Sequence, residues 1–473
     1  MKISIFNPPT RNIKKVTREG RCSQEQGVWG TLWPPLSLAY IAAVLEADGH
    51  HVDFHDFPAI GEGLSELSAR MRLFAPDFVI WSTATQTIKN DLEIASILKA
   101  MDPAIKTAVF GTHVTCLNRE CLSQYPDLDF IIRSEPEFTI KELARVLQNG
   151  KCCEKIDGLS FRDTQGRICI NANRPFIDNL DELPAPAWHL LDLQPYRLPL
   201  LGRRFLMILP TRGCPFNCTF CTTHSYYGSR LRKRSAQSVI AEMRRNITEF
   251  SIRDFFFWSD TFTIDKRYVK DLCQAIIDEK LNVSWTCNSR VDTADSRTFS
   301  LMKKAGCWMV SFGAESGCQK VLEAVGKHIT PEQTRLAVKT AKQAGLKVAG
   351  HFVLGLPGDN SETIGDTIRF STTLRLDFVQ YYSAVPFPGS QLYNQALEKG
   401  WINGSKINWS DFRQDKAILH LPELRPDEAD RLRGDAYKTF YINPMNLISK
   451  LRLLRPAGVP DLLRSARAFV NWL

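Results

Sequence analysis

The chain has 473 residues, 44% of them apolar and 23% charged, with a formal net charge of +9. Such a length exceeds one ordinary core and suits two or three globular domains. The modest charge without a clustered basic stripe argues against nucleic acid as a partner, and the absence of an apolar run of about 18 residues argues against a membrane span.

Thirteen cysteines, an odd number without the spacing of a secreted disulfide framework, follow a start that lacks a signal peptide's apolar core. They predict a cytoplasmic protein with reduced thiols. Residues 2–6 then predict a short strand ending at Asn7-Pro8-Pro9. Trp33-Pro34-Pro35 opens a helix on which Leu38, Ile41, Ala42 and Leu45 recur at helical spacing, and Asp48-Gly49 closes it.

Four more apolar runs follow, at residues 51–54, 78–81, 107–110 and 130–132, with helical stretches between them. Alternation of this kind predicts a parallel, doubly wound, Rossmann-like sheet over residues 1–145. Ligands of such sheets sit at the carboxyl ends of the strands, where the strand order reverses. Asn7, the hydroxyl cluster Ser82, Thr83 and Thr85, and the loop Gly111-Thr112-His113 fall at those ends. Residues 146–200 are proline-rich and predict a connector containing a hairpin between Gly158 and Asn171.

The run Phe205-Leu206-Met207-Ile208-Leu209 empties into Thr211-Arg212-Gly213-Cys214-Pro215-Phe216-Asn217-Cys218-Thr219-Phe220-Cys221-Thr222-Thr223-His224. Three thiols spaced in this way can hold three irons of a [4Fe–4S] cube and leave the fourth open. With His224 as a fourth ligand, they can equally form a closed Cys3His zinc site. From there to residue 400 the strand, loop and helix pattern repeats, giving six β/α units of a partial barrel over residues 201–400. Barrel chemistry sits at the carboxyl ends of strands, where Asp260, Arg290, Glu315 and Gly355 fall. Tyr381 and Tyr382 end the sixth unit, where a substrate would enter.

The stretch Cys214 to Cys221, with the aromatic Phe220 before the last cysteine, resembles the signature of the radical S-adenosylmethionine (SAM) enzymes. The resemblance implies that the open iron chelates SAM and that the reduced cluster cleaves it to a 5′-deoxyadenosyl radical. It also implies contacts to SAM from Asp260, from Glu315 in Ser311-Phe312-Gly313-Ala314-Glu315, and from the backbone at Gly355 in Leu354-Gly355-Leu356-Pro357-Gly358. Residues 1–145 resemble the cobalamin-binding domain that precedes the barrel in one large subfamily. The resemblance rests on Pro34-Pro35-Leu36-Ser37-Leu38, Gly111-Thr112-His113 and the acidic turn Ser134-Glu135-Pro136-Glu137. The cobalt-ligating DxHxxG signature is not met, since Asp53-Phe54-His55 continues as Asp56-Phe57-Pro58.

Residues 401–473 predict a helical C-terminal region. Its last part carries Leu462, Leu463, Ala466, Phe469 and Val470 on one face and Arg464 and Arg467 on the other, an amphipathic helix suited to a membrane interface or to packing on the barrel. The expected activity is cobalamin-dependent methylation of an unactivated carbon in a small molecule, a lipid or a tetrapyrrole. A low-potential electron donor is the expected partner. An anaerobic tetrapyrrole cyclase using the same cofactors is the alternative, and a zinc-bearing binding protein is the reading of another class.

Overall fold

The computed structural model describes residues 1–11, 16–19, 22–25, 32–198 and 201–442. The amphipathic stretch expected at 457–473 lies outside them. Among the described residues no helix is long and apolar enough to cross a membrane.

Five parallel strands build the first sheet: Lys2–Asn7, His51–Asp56, Phe78–Ser82, Lys106–Phe110 and Phe130–Ile132. Their spatial order is second, first, third, fourth, fifth. The order therefore reverses between Lys2–Asn7 and Phe78–Ser82, and the ends of these strands deliver Asn7 and Ser82 to one crevice. The hairpin expected inside a connector instead belongs to this sheet. Leu159–Arg162 pairs antiparallel with Phe130–Ile132, and Ile168–Ile170 pairs antiparallel with Leu159–Arg162. Leu159 and Phe161 are buried there; a two-stranded hairpin has no face to bury by itself, and the open sheet edge supplies one.

The helix Leu36–Ala47 buries its first ten residues. It is apolar all round because every side is covered. The helix Glu137–Gln148 packs on it, Ala187 N donates to its Ala39 carbonyl at 3.0 Å, and Arg234 of the barrel reaches its Tyr40 hydroxyl at 3.3 Å. Its N-terminus is satisfied from a distant strand: Ser37 Oγ and N donate to the Glu19 carboxylate at 2.6 and 3.1 Å.

Burial pushes Glu19 up to about 7, against the pull of the Ser37 bonds. A carboxyl raised in the folded state contributes stability that is full below its unfolded value of 4.5 and is lost as pH rises through about 7. Glu19→Gln keeps an acceptor for Ser37 and removes that loss. Denaturant unfolding is expected to find the variant equal to the parent near pH 4 and more stable by roughly 3 kcal/mol near pH 8.

The second sheet is all parallel and sequential: Phe205–Ile208, Asp254–Phe257, Ser284–Ser289, Cys307–Glu315, Lys347–Leu354 and Phe378–Ser383. Its first and last strands do not pair with each other, so this six-unit barrel keeps a lateral seam. The C-terminal helix Pro426–Tyr441 packs on the outer strand, where Tyr437 and Tyr441 donate to the Tyr381 and Val379 carbonyls.

Candidate active site

The first barrel strand, Phe205–Ile208, is buried throughout and leads into Thr211–Arg212, which pairs antiparallel with Arg232–Lys233. Gly213 turns the chain with φ +87°, and a Cβ there would lie 2.2 Å from the Arg230 carbonyl oxygen. Only glycine lets the loop pass so close to a neighbouring backbone. The loop beyond is pinned by its own amides: Cys214 N donates to Gly228 O, Thr219 N to Val325 O and Cys221 N to Cys218 O.

Cys214, Cys218, Phe220 and Cys221 all line one cavity of about 460 Å³ that fills the barrel lumen. His224 Nε2 donates to the Cys214 carbonyl oxygen at 2.8 Å, so the ring is held by backbone. Among the described residues no three His, Cys, Asp or Glu side chains gather as closely as a single ion requires. Three thiols lining one space suit a polynuclear cluster with one iron per thiolate.

Four charged side chains gather at this end of the lumen: Asp260, Arg290, Glu315 and Lys327. Arg290 sits 3.6 Å over the Phe216 ring, grips Asp292 through Nε and Nη2, and turns Nη1 to within 3.9 Å of Cys218 Sγ. Lys327 Nζ donates to Glu315 Oε1 at 2.7 Å. Burial alone would lower Lys327, and Glu315 together with Cys218 more than offsets it, holding the ammonium above its ordinary range. Burial also pushes the Cys218 thiol up, with Lys327 pulling the other way. Asp260 accepts from Thr223 Oγ1 at 3.4 Å.

Glu315 ends the fourth barrel strand with φ +60°, beside a shift in the pairing register between Gly313 and Glu315. A non-glycine residue held in this region costs of order 1–3 kcal/mol, and such residues concentrate at functional sites. Gly313 provides the room: a Cβ there would fall 2.5 Å from Glu315 Oε1 and 3.1 Å from Lys327 Nζ. Gly313→Ala is therefore expected to displace the carboxylate and to lower kcat/KM for SAM cleavage about 100-fold, with iron content unchanged; single-turnover cleavage beside an iron assay checks it.

Midway along the lumen, the Tyr382 hydroxyl donates to Gln380 Oε1 and lies 3.2 Å from His351 Nδ1. Burial lowers His351 and so disfavours its charged form, against the pull of Glu315. Tyr381 faces away, stacked edge-on with Tyr437 and bonded to Ser371. Gly355 also stands outside the cavity wall: its amide donates to Asp359 Oδ2 at 2.9 Å, and its Cα faces Leu424 and Ala429.

The first-sheet residues form a second group, apart from this cavity. Asn7 Oδ1 accepts from Ser82 Oγ and Arg18 Nη1, and Asn7 Nδ2 donates to Asp56. Thr83 Oγ1 donates to Phe110 O at 3.0 Å. Gly111, with φ +140°, comes so close to Thr83 that a Cβ would lie 2.7 Å from its carbonyl oxygen. Thr85 is buried beside Gln86, and Thr112 is half-buried beside His113. The His113 ring meets Trp409 edge-on at 4.6 Å, and burial depresses it to about 3. His113 Nδ1 and both amide atoms of Gln86 are buried without a hydrogen-bond partner among the described residues. Polar atoms left so, at the carboxyl ends of the third and fourth strands, fit a ligand bearing amides.

The Radical SAM superfamily model matches residues 208–371, and the B12 binding domain model matches residues 27–144. A protein of Pyrococcus horikoshii named an uncharacterized methyltransferase is 34% identical over 452 residues, covering 95% of each chain. The chain belongs to the cobalamin-binding radical SAM enzymes.

The cofactors of this radical SAM enzyme are a [4Fe–4S] cluster, SAM and cobalamin. The anaerobic magnesium-protoporphyrin IX monomethyl ester cyclase of Rubrivivax gelatinosus is 27% identical, over 87% of this chain and 74% of that one. The solved radical SAM methyltransferase TsrM of Kitasatospora setae, with cobalamin and a [4Fe–4S] cluster bound, superposes with a TM-score of 0.70 at 15% identity. The match covers 96% of this chain and 91% of that one and shows a shared fold.

Lys327 and His351 carry no signal of their own in the sequence of this enzyme. Lys327 returns to Glu315 only because the short helix Gln319–Ala324 folds the chain back. His351 declares its direction only through pairing with Gly313 and Gln380 on neighbouring strands. Gln86 could have been noticed as an amide among the strand-end hydroxyls.

Proposed function

We propose that this enzyme transfers a methyl group from SAM to an unactivated carbon of a small molecule. The observation that carries the reading is that the three-cysteine loop, a cluster of charged side chains and a large aromatic chamber open into one lumen. When bound, the cluster and SAM supply hydrogen-atom abstraction, and cobalamin carries the methyl group.

Cys214, Cys218 and Cys221 would hold the cluster. Asp260, Arg290 and Glu315, with Lys327, would bind the polar ends of SAM, and Phe220 would border its remainder, whereas Gly355, outside the cavity wall, would act at most through the turn it makes. Asn7, Ser82, Thr83, Thr85, Gly111, Thr112 and His113, together with Gln86, would receive cobalamin. His113, neutral and behind Trp409, would serve as a wall of that site rather than as a cobalt ligand. The aromatic lining of the lumen would shield a reactive carbon from side reactions.

On this reading the chain divides into a cobalamin unit in residues 1–145, a connector whose hairpin Leu159 to Ile170 extends the first sheet, a barrel in 201–400 and a helical C-terminal region that begins at 401. Reduced thiols and a cluster of this kind favour the cytoplasm and a low-potential electron donor.

Anaerobic reconstitution with iron, sulfide and cobalamin tests the reading: about four iron, four sulfide and one cobalt per chain are expected. One zinc without iron would overturn it. The cyclase named among the relatives favours a second reading, ring closure on a tetrapyrrole. Label from methyl-labelled SAM appearing in the product supports methyl transfer, and a cyclised product without label supports the second reading.

A further inference from the structure

The lumen is hollow where a packed barrel would be full. Inward positions of closed barrels carry layers of bulky branched side chains. Here the facing positions on the fourth and fifth strands are Ser311, Gly313 and Ala349, with Ser311 paired directly to Ala349. Small residues on adjacent strands leave the centre of the barrel empty.

Polarity is graded along this space. Its ionised groups, Asp260, Arg290, Glu315 and Lys327, all belong to the cysteine-loop end. Neutral hydrogen-bonding groups, His351, Gln380 and Tyr382, occupy the middle. The seam is apolar where its two strands begin, with Leu198, Leu201 and Phe205 beside the first strand and Phe378 at the start of the sixth, ahead of Gln380 and Tyr382. Trp33, from the first domain, reaches into the lumen and packs edge-on against Phe256 at 5.4 Å and Trp258 at 4.9 Å.

We propose, resting on the radical SAM reading of the same lumen, that the seam half binds the hydrocarbon body of an uncharged lipid. His351, Gln380 and Tyr382 hold its hydroxyl or carbonyl group. An ionised substrate group in the seam half would be desolvated opposite aromatic rings, with no counter-charge there among the described residues. A corrin ring is a poor occupant as well, because its amide arms need partners that Leu198, Leu201, Phe205 and Phe378 do not offer. A lipid alcohol or ketone satisfies both ends: its body replaces water against the rings, and its one polar group meets three neutral partners. Ala349 lines the lumen beside Phe378, its register partner on the sixth strand, so a larger side chain there takes up part of the bore.

Equilibrium dialysis of the reconstituted full-length protein against radiolabelled retinol, an uncharged isoprenoid alcohol, tests the proposal, with retinoic acid as the charged counterpart. Saturable retinol binding is expected, with the acid weaker by at least about tenfold. Ala349→Phe is expected to weaken retinol binding by at least about tenfold as well, with iron and sulfide per chain as in the parent. Should that variant lose iron, the smaller Ala349→Leu carries the same comparison. Three results would each overturn the proposal: equal binding of alcohol and acid, retinol binding indifferent to residue 349, or displacement of retinol by hydroxocobalamin. Failure of the radical SAM reading shows separately, as absence of iron and sulfide from the parent protein.

Discussion

Cys218→Ala is expected to lower iron from about four per chain to below one and to abolish reductive SAM cleavage. The three thiols of the loop share one lumen, and His224 is tied to the Cys214 carbonyl, so the loop offers no substitute ligand on its inner side. With one thiol gone, two thiolates remain for a cube that normally takes three or four. Arg290 makes the effect sharper at this position, since its Nη1 lies 3.9 Å from the Cys218 sulfur and would face an empty site. Cys287→Ala is the control. That thiol is buried in the third barrel strand and does not line the lumen, so iron should stay at the parent's level while stability falls by about 1 kcal/mol. Iron and sulfide assays with the visible absorption of the cluster read both variants.

Arg212→Met is expected to destabilise the protein by roughly 3–5 kcal/mol. The Arg212 guanidinium lies between the Glu135 and Glu137 carboxylates, and Arg232 bonds the other oxygen of Glu135 at 2.8 Å. All four side chains are buried. The carboxylates hold Arg212 above its ordinary range although burial opposes its charge. Removing it leaves Glu137 buried without its cation, which is the costly way to break such a pair. Pairing Arg212→Met with Glu137→Leu should recover most of the loss, because apolar replacement of both partners restores packing without a stranded charge. Arg212 stands two residues before Cys214, so the single variant should also take up less iron. Denaturant midpoints of the two single variants and the double variant, beside iron content, check the argument.

The acidic turn behind this clasp, Ser134-Glu135-Pro136-Glu137, resembles a stretch of cobalamin domains, and its part here is to hold the barrel loop. Nothing local in the turn announces that, because its partners lie 75 and 77 residues away. The same distance rule explains Leu159 to Ile170: a hairpin between prolines reads as a connector until a sheet edge is available to it.

What the amino-acid order determined by itself is the alternation of strands and helices, the parallel strands of both sheets and the three-thiol loop. Each rests on short-range patterns, the spacing of apolar residues and of cysteines, that any chain of this kind must satisfy to bury its strands. Only the tertiary structure decided that Lys327 meets Glu315, that Gly313 makes room for them, and that Trp33 enters the barrel of the other domain. Those contacts join residues far apart in the chain, and their positions depend on strand register and on how two sheets dock. No local periodicity encodes either, because both are set by the packing of whole surfaces against one another.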